Sequence, residues 1–184
     1  MVGPEFSTMI FPHDDAITSH PKLGLTLQGH VQFKLSTHLG FDIGFGYGLK
    51  RYKAKFDKRD WGTYPDIKST LHGADIPVLL KYYFRSNKTG VYAGLGINAM
   101  VFVVTVYDTD GNIRDVGDDN GHHRKSFYDP HVRIATQVAF GIRHPLDEQL
   151  DLNVELYGSI APEYYIRTKT DFMINSGVRV GLWF

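Results

Sequence analysis

The stretch best equipped to hold a ligand is Asp108 to His123, DTDGNIRDVGDDNGHH. Asp108, Asp110, Asn112, Asp115, Asp118, Asp119, His122 and His123 are hard or borderline donors of the kind a divalent cation takes. An EF-hand would need Gly at the sixth loop position and Glu at the twelfth, and Gly111 is misplaced for that. A solvated loop with a tight turn at Asp110-Gly111 accounts for the same residues. A divalent cation in loop 108–123 is therefore the weaker reading, and no other cofactor is expected. Ser159, His72, His144 and Asp75 supply the residue types of a nucleophilic triad, but none lies in a recognisable nucleophile motif. With nine histidines, such combinations arise by chance. The chain has no cysteine, which removes thiol chemistry, disulfides and Cys-based zinc sites. A formal net charge of zero gives no electrostatic reason to expect nucleic acid. The chain does not read as an enzyme.

Ten other charges follow a stricter rule. Glu5, Asp42, Asp75, Asp151 and Glu155 stand against Lys50, Lys81, Arg133, Arg143 and Arg179, all on the small, polar side of alternating segments. Equal numbers of each sign on one face suit ion pairing inside a narrow space, where an unpaired charge is costly.

The element that makes this face is clearest in Leu39 to Lys50, LGFDIGFGYGLK. Leu39, Phe41, Ile43, Phe45, Tyr47 and Leu49 are apolar or aromatic, and the residues between them are small or charged. Period-2 alternation of this length defines a strand with two unlike faces. A helix would scatter the same residues, and its four glycines would each weaken it. The same alternation recurs, predicting eight strands at about 2–10, 22–33, 39–56, 70–84, 90–107, 131–143, 150–160 and 171–184. The connections alternate between long polar loops (11–21, 57–69, 108–130, 161–170) and short turns. Successive antiparallel strands would gather the long loops at one end and the turns at the other. At 184 residues, 19 of them Gly, 12 Phe and 11 Tyr, a single all-β domain over 1–184 is expected.

No apolar run is long enough for a membrane helix, and MVGPEFSTMIF does not read as a signal peptide. Neither observation touches a membrane β-barrel, whose strands expose only alternate residues to lipid. A soluble lipocalin-like barrel would put the apolar face inside, and a membrane barrel puts it outside. Three features favour the membrane. The polar face is rich in Gly, as the crowded interior of an eight-stranded barrel needs. Its charges balance. The strands match the roughly 9–11 residues that span a bilayer at a tilt.

On this reading Leu39, Phe41, Ile43, Phe45, Val91, Leu95 and Ile97 face lipid. So do Val138, Phe140, Val178, Val180 and Leu182. Tyr47, Tyr52, Tyr82 to Phe84, Tyr107, Tyr164, Tyr165, Trp183 and Phe184 would form two interfacial girdles.

Three segments carry a resemblance. HPKLGLTLQGHVQFKLSTHLGFDIGFGYGLKRYKAKF (20–56), IPVLLKYYF (76–84) and INSGVRVGLWF (174–184) resemble the small PorT-like outer-membrane β-barrels common in Bacteroidetes. The second is similar to that family's "iPlllkyyf" strand. This bears on Pro77, a residue that would otherwise demote a strand to an edge or a bulge. The resemblance implies an eight-stranded antiparallel up-and-down barrel in the bacterial outer membrane, with periplasmic turns and termini and extracellular loops. It implies that Phe184 ends a signal read by the barrel-assembly machinery, and it implies no catalytic or ligand residue. The expected partners are membrane lipids and, through the long loops, other outer-membrane or surface proteins. The expected role is structural or accessory in such an assembly, with a porin-like channel as the alternative. A charge at Ile43 is expected to be tolerated worse than one at Gly44.

Overall fold

A computed structural model describes residues 1–10, 12, 17–56, 67–84, 89–107, 131–165 and 169–184. Its strands are β1 Val2–Ile10, β2 Ile17–Lys34, β3 Leu39–Phe56 and β4 Ile67–Tyr83, then β5 Gly90–Tyr107, β6 His131–Pro145, β7 Asp151–Tyr165 and β8 Lys169–Trp183. Each strand pairs antiparallel with the next and β1 pairs with β8, so the sheet closes into an eight-stranded barrel. Closure satisfies the backbone on both sides of every strand, the condition for strands to cross hydrocarbon. Among the described residues no helix is long and apolar enough to cross a membrane.

Several strands outrun the apolar alternation. β2 begins at Ile17, where Pro21 pairs with Tyr52, His20 with Lys53 and Ile17 with Phe56. β4 begins at Ile67, and β6 reaches Pro145. β7 continues past Ile160 to Tyr165, pairing Pro162 with Phe172 and Tyr165 with Lys169. A backbone ladder needs no side-chain contrast, so it continues where the alternation fades. Two connections expected to be long are therefore brief: residues 11–16 between β1 and β2, and 166–168 between β7 and β8. Residues 57–66 and 108–130 separate β3 from β4 and β5 from β6.

Two local irregularities have identifiable causes. The β2–β3 register slips between Lys22↔Arg51 and Leu25↔Leu49, which inserts one extra residue into β2. That is a β-bulge. It reverses which residues face inward, so the pattern Leu23, Leu25, Leu27 cannot be extended backwards by counting twos. Pro77 sits inside the wall, not at an edge. The β3–β4 pairing passes from Ile43↔Val78 to Gly46↔Asp75, which leaves a gap where Pro77 has no N–H to give. A similar gap interrupts the β1–β8 seam, between Val2↔Val180 and Glu5↔Gly177, beside Pro4.

The turns are closed by local hydrogen bonds. Ser36 Oγ accepts from the backbone N–H groups of His38 (3.2 Å) and Leu39 (3.1 Å). Asp147 Oδ1 accepts from those of Gln149 and Leu150, both at 2.8 Å. Ser and Asp are the residue types that make such turns.

The wall's two faces follow the alternation. Leu39, Ile43, Phe45, Leu95, Ile97, Val138, Phe140, Val178, Val180 and Leu182 are exposed, and Phe41 and Val91 are half-buried on the same outer face. Gly44 faces inward, but a Cβ there would stand 2.7 Å from Pro77 Cγ and 2.8 Å from His30 Cε1. A side chain at Gly44 would therefore have to displace the Pro77 and His30 side chains. Leu95, 61% exposed in the middle of the outer wall, tests the membrane-facing assignment. Leu95→Arg should destabilise the barrel by about 2–4 kcal/mol in urea titrations from lipid vesicles, whereas Leu35→Arg in the turn should change it by about 0–1 kcal/mol.

Candidate functional site: the barrel lumen

The inward residues stack in layers from the turn end to the loop end. At the turn end Arg143 pairs with Asp151 at 2.5 Å and donates to Gln32 Oε1 at 2.9 Å. Trp183 lies beside this pair. Its ring centroid is 5.3 Å from Arg143 Cζ, 5.9 Å from Lys81 Nζ and 6.2 Å from the His30 ring. Trp183 was expected in a girdle, but it has the parity of Arg179 and Gly181 and turns inward with them. Tyr83 likewise follows Lys81 inward, where it accepts from Gln32 and packs 5.3 Å from the Tyr92 ring. Tyr52 also turns inward. Tyr47, Tyr82 and Phe84 are exposed, with Tyr82 and Phe84 edge to face. The Tyr107, Tyr164 and Tyr165 side chains lie outside the described residues.

The middle of the lumen holds two ion clusters. Lys81 pairs with Asp42 at 2.5 Å and Glu155 at 3.0 Å, and Arg179 pairs with Glu155 at 2.6 Å. His30 contacts Asp42 at 3.0 Å and Gln28 at 3.1 Å, and Gln28 also accepts from Arg179. In the second cluster Lys50 bridges Glu5 at 3.0 Å and Asp75 at 2.8 Å. All seven charged groups are buried. Of the ten charges singled out in the sequence, the lumen thus joins Glu5, Lys50 and Asp75, then Asp42, Lys81, Glu155 and Arg179, and separately Arg143 and Asp151. Arg133 is placed nearer the loop end, where it donates to Met173 Sδ at 2.9 Å.

One tyrosine, Tyr157, ties the clusters together, and a second, Tyr92, braces the Lys81–Glu155 cluster. Tyr157 donates to Glu5 Oε2 and Tyr92 to Glu155 Oε2, both at 2.8 Å. Arg179 Cζ lies 3.8 Å from the Tyr157 ring centroid and Lys81 Nζ 4.5 Å from that of Tyr92. Each ring lies over the glycine paired with it, Gly177 under Tyr157 and Gly141 under Tyr92. A Cβ on Gly177 would stand 2.5 Å from the Pro4 carbonyl oxygen and 2.9 Å from the Tyr157 hydroxyl. One on Gly141 would run into the Tyr92 ring and its hydroxyl, so there the glycine is what admits the ring. Parity alone puts these tyrosines on the polar face, and the pairing of an inward Tyr with an inward Gly on the next strand carries the signal for their role.

Towards the loop end the lumen changes character. Asn98, Gln137, Ser159 and Asn175 form an amide-rich layer, in which Asn98 Oδ1, Gln137 Nε2 and Asn175 Oδ1 lack partners among the described residues. Beyond it Met9, Leu71, Met100, Ala135, Ala161 and Met173 pack together with Tyr52 against them. The inward face was expected to be polar. It is apolar here because side chains fill the section and exclude water, so methionines pack as they would in a core.

The candidate triad residues are apart among the described residues. His72 and His144 are exposed while Asp75 and Ser159 are buried in the lumen, so the triad residue types do not converge. Among the described residues there is no metal-holding group of three or more His, Asp or Glu. The candidate cation loop 108–123, with Trp61, Tyr64 and Tyr128, lies outside the described residues.

A closed eight-stranded barrel with apolar residues outside and paired charges inside is an integral outer-membrane β-barrel. A soluble lipocalin-like barrel needs the opposite polarity. Residues 2–126 match the outer membrane protein beta-barrel domain family, and the chain belongs to that family. It is accordingly a protein of the bacterial outer membrane with a lipid environment. No curated protein matches in sequence. Similar solved structures include the outer membrane protein OprG of Pseudomonas aeruginosa, with 14% identity, TM-score 0.47, and 98% of this chain and 92% of that one covered. Another is Ail, the attachment invasion locus protein of Yersinia pestis, solved with the heparin analogue sucrose octasulfate. It has 10% identity, TM-score 0.47, and 100% and 95% coverage. Neisserial surface protein A has 13% identity, TM-score 0.44, and 97% and 94% coverage.

Removing one member of a buried ion cluster should cost far more than removing one at the rim. Lys50→Met leaves Glu5 and Asp75 facing each other and should destabilise the barrel by about 3–5 kcal/mol in urea titrations. Arg143→Met at the more open turn end should cost only about 0–1 kcal/mol.

Proposed function

We propose that the protein is a closed, non-enzymatic barrel that serves as a structural or accessory subunit of an outer-membrane assembly concerned with secretion, transport or barrel biogenesis. The observation behind this reading is the filled lumen. Trp183 and the Arg143–Asp151 pair stand at the turn end, two ion clusters occupy the middle, and the methionine layer lies towards the loops. An eight-stranded interior is just wide enough for side chains to fill. A barrel without a passage and without a reactive constellation has its outer wall and loops left to act with.

In this reading the termini and the tight turns are periplasmic, and residues 57–66 and 108–130 face outward as contact elements. Trp61, Tyr64 and Tyr128 are of a type that anchors interfaces. Phe184, 97% exposed beyond β8, is free to be read by the assembly machinery. A porin-like channel is the second reading, and the unpartnered amides of Asn98, Gln137 and Asn175 favour it, since such groups suit internal water.

Planar-bilayer recordings separate the two. The purified barrel, checked for folding by faster gel migration before boiling than after, should give no steady conductance. Steady channel openings from that folded sample would replace the closed-barrel reading with the channel. Purification from its native membrane in mild detergent should yield reproducible protein partners, and a lone monomer would count against an accessory subunit.

A further inference from the structure

The charges inside the barrel come in both signs, whereas among the described residues one part of its outer wall carries cations alone. The outward residues of β3 run Phe41, Ile43, Phe45, Tyr47, Leu49 and then, with no change of face, Arg51, Lys53 and Lys55. β2 makes the same change through its bulge, from Leu25 and Leu23 to Lys22 and His20, and β4 carries Lys68 at the corresponding end. Lys22 is paired directly with Arg51, and Lys53 with Lys68. Like charges opposite one another on a sheet face repel. Lys22, Arg51, Lys55 and Lys68 are exposed, and among the described residues no carboxylate pairs with any of these four. Elsewhere on the outer wall the described loop-end residues include the apolar Ile10, Val132, Ile160 and Pro162.

We propose that this cationic cluster on β2–β3–β4 binds the phosphate groups of membrane lipids and seats their headgroups against one side of the barrel, on the loop-side leaflet. The inference rests on the membrane reading above. Arg51 stands two residues past Leu49 on the same face, a rise of about 7 Å along the strand and less along the barrel axis. The cations therefore lie where hydrocarbon gives way to headgroups. Their long stems can cover the apolar strip while the charge reaches into the polar layer. A phosphate between Lys22 and Arg51 turns a repulsive pair into two charge-assisted hydrogen bonds. A soluble anion could sit there too, but it gains nothing from the Leu23, Leu25 and Leu49 strip beneath. A lipid gains from both, because its chains cover the strip while its phosphate meets the cations.

The test reconstitutes the full chain in phosphatidylcholine vesicles containing traces of spin-labelled phosphatidic acid or spin-labelled phosphatidylcholine. The fraction of each label held immobile by the barrel is compared. The wild type should prefer the phosphatidic acid by about fivefold or more, the contribution of a single cation near an anionic surface. The K22Q/R51Q/K55Q/K68Q variant should lose the preference while keeping its heat-modifiable gel mobility. If that variant fails to fold, K22R/K55R/K68R, which keeps every charge, should retain the preference. Equal immobilisation of the two labels by an inserted wild type overturns the proposal and leaves the membrane reading intact. Failure to insert in either vesicle sinks both. A preference erased by inorganic phosphate at a concentration no higher than that of the labelled lipid, but not by chloride of equal ionic strength, shows that the apolar strip adds nothing, assigns the cluster to a free anion and overturns the lipid. Binding of a soluble sulfated polysaccharide without lipid preference overturns it as well.

Discussion

No charge in the two central ion clusters can be changed alone. Glu155 holds Lys81, Arg179 and the Tyr92 hydroxyl at once, and Lys50 separates two carboxylates that would otherwise face each other. The wall exists in its present form because these groups must be paired where water is scarce. Glycines on the inner face make room for the tyrosines that brace the clusters. The apolar outer face is the other half of the same arrangement, since only a wall greasy outside leaves the charges to the lumen.

Much of this was legible in residues such as Asp42, Ile43 and Glu155. Period-2 alternation assigns each residue to one of two faces, and glycine content and charge balance tell the faces apart. What was not legible has physical reasons. The upstream half of β2 was hidden by a bulge that resets the count between Lys22 and Leu25. Tyr164 and Tyr165 were read as loop because a ladder continues past the point where the bilayer imposes a pattern. Trp183 has the residue type of a girdle, but its parity with Arg179 turns it inward. Partner choice within the lumen, such as Lys81 with Glu155, depends on shear between non-adjacent strands, which no local pattern encodes.

The inner layers divide the lumen into regions of unlike chemistry. The ion clusters are directional and tolerate little movement. The methionine layer is soft, because unbranched thioethers adopt many shapes at small cost. Between them lies the amide layer, with hydrogen-bonding capacity that neighbouring side chains leave unused. The end nearest the turns is therefore fixed by pairing, and the end nearest the loops by packing.

The seam between β1 and β8 has a consequence for how the molecule is made. It joins the two ends of the described chain, so its ladder carries the largest loop-closure entropy of any in the barrel. It is also thinned where Pro4 leaves the pairing gap. The contacts that bind β1 and β2 to the far end of the sequence lie inside, with Tyr157 donating to Glu5 and Arg179 to Gln28. These act as latches drawn across the closing edge from within. Closure thereby completes the hydrogen bonding of two buried charges: a barrel still open at that seam leaves Glu5 without its tyrosine and Arg179 without its amide.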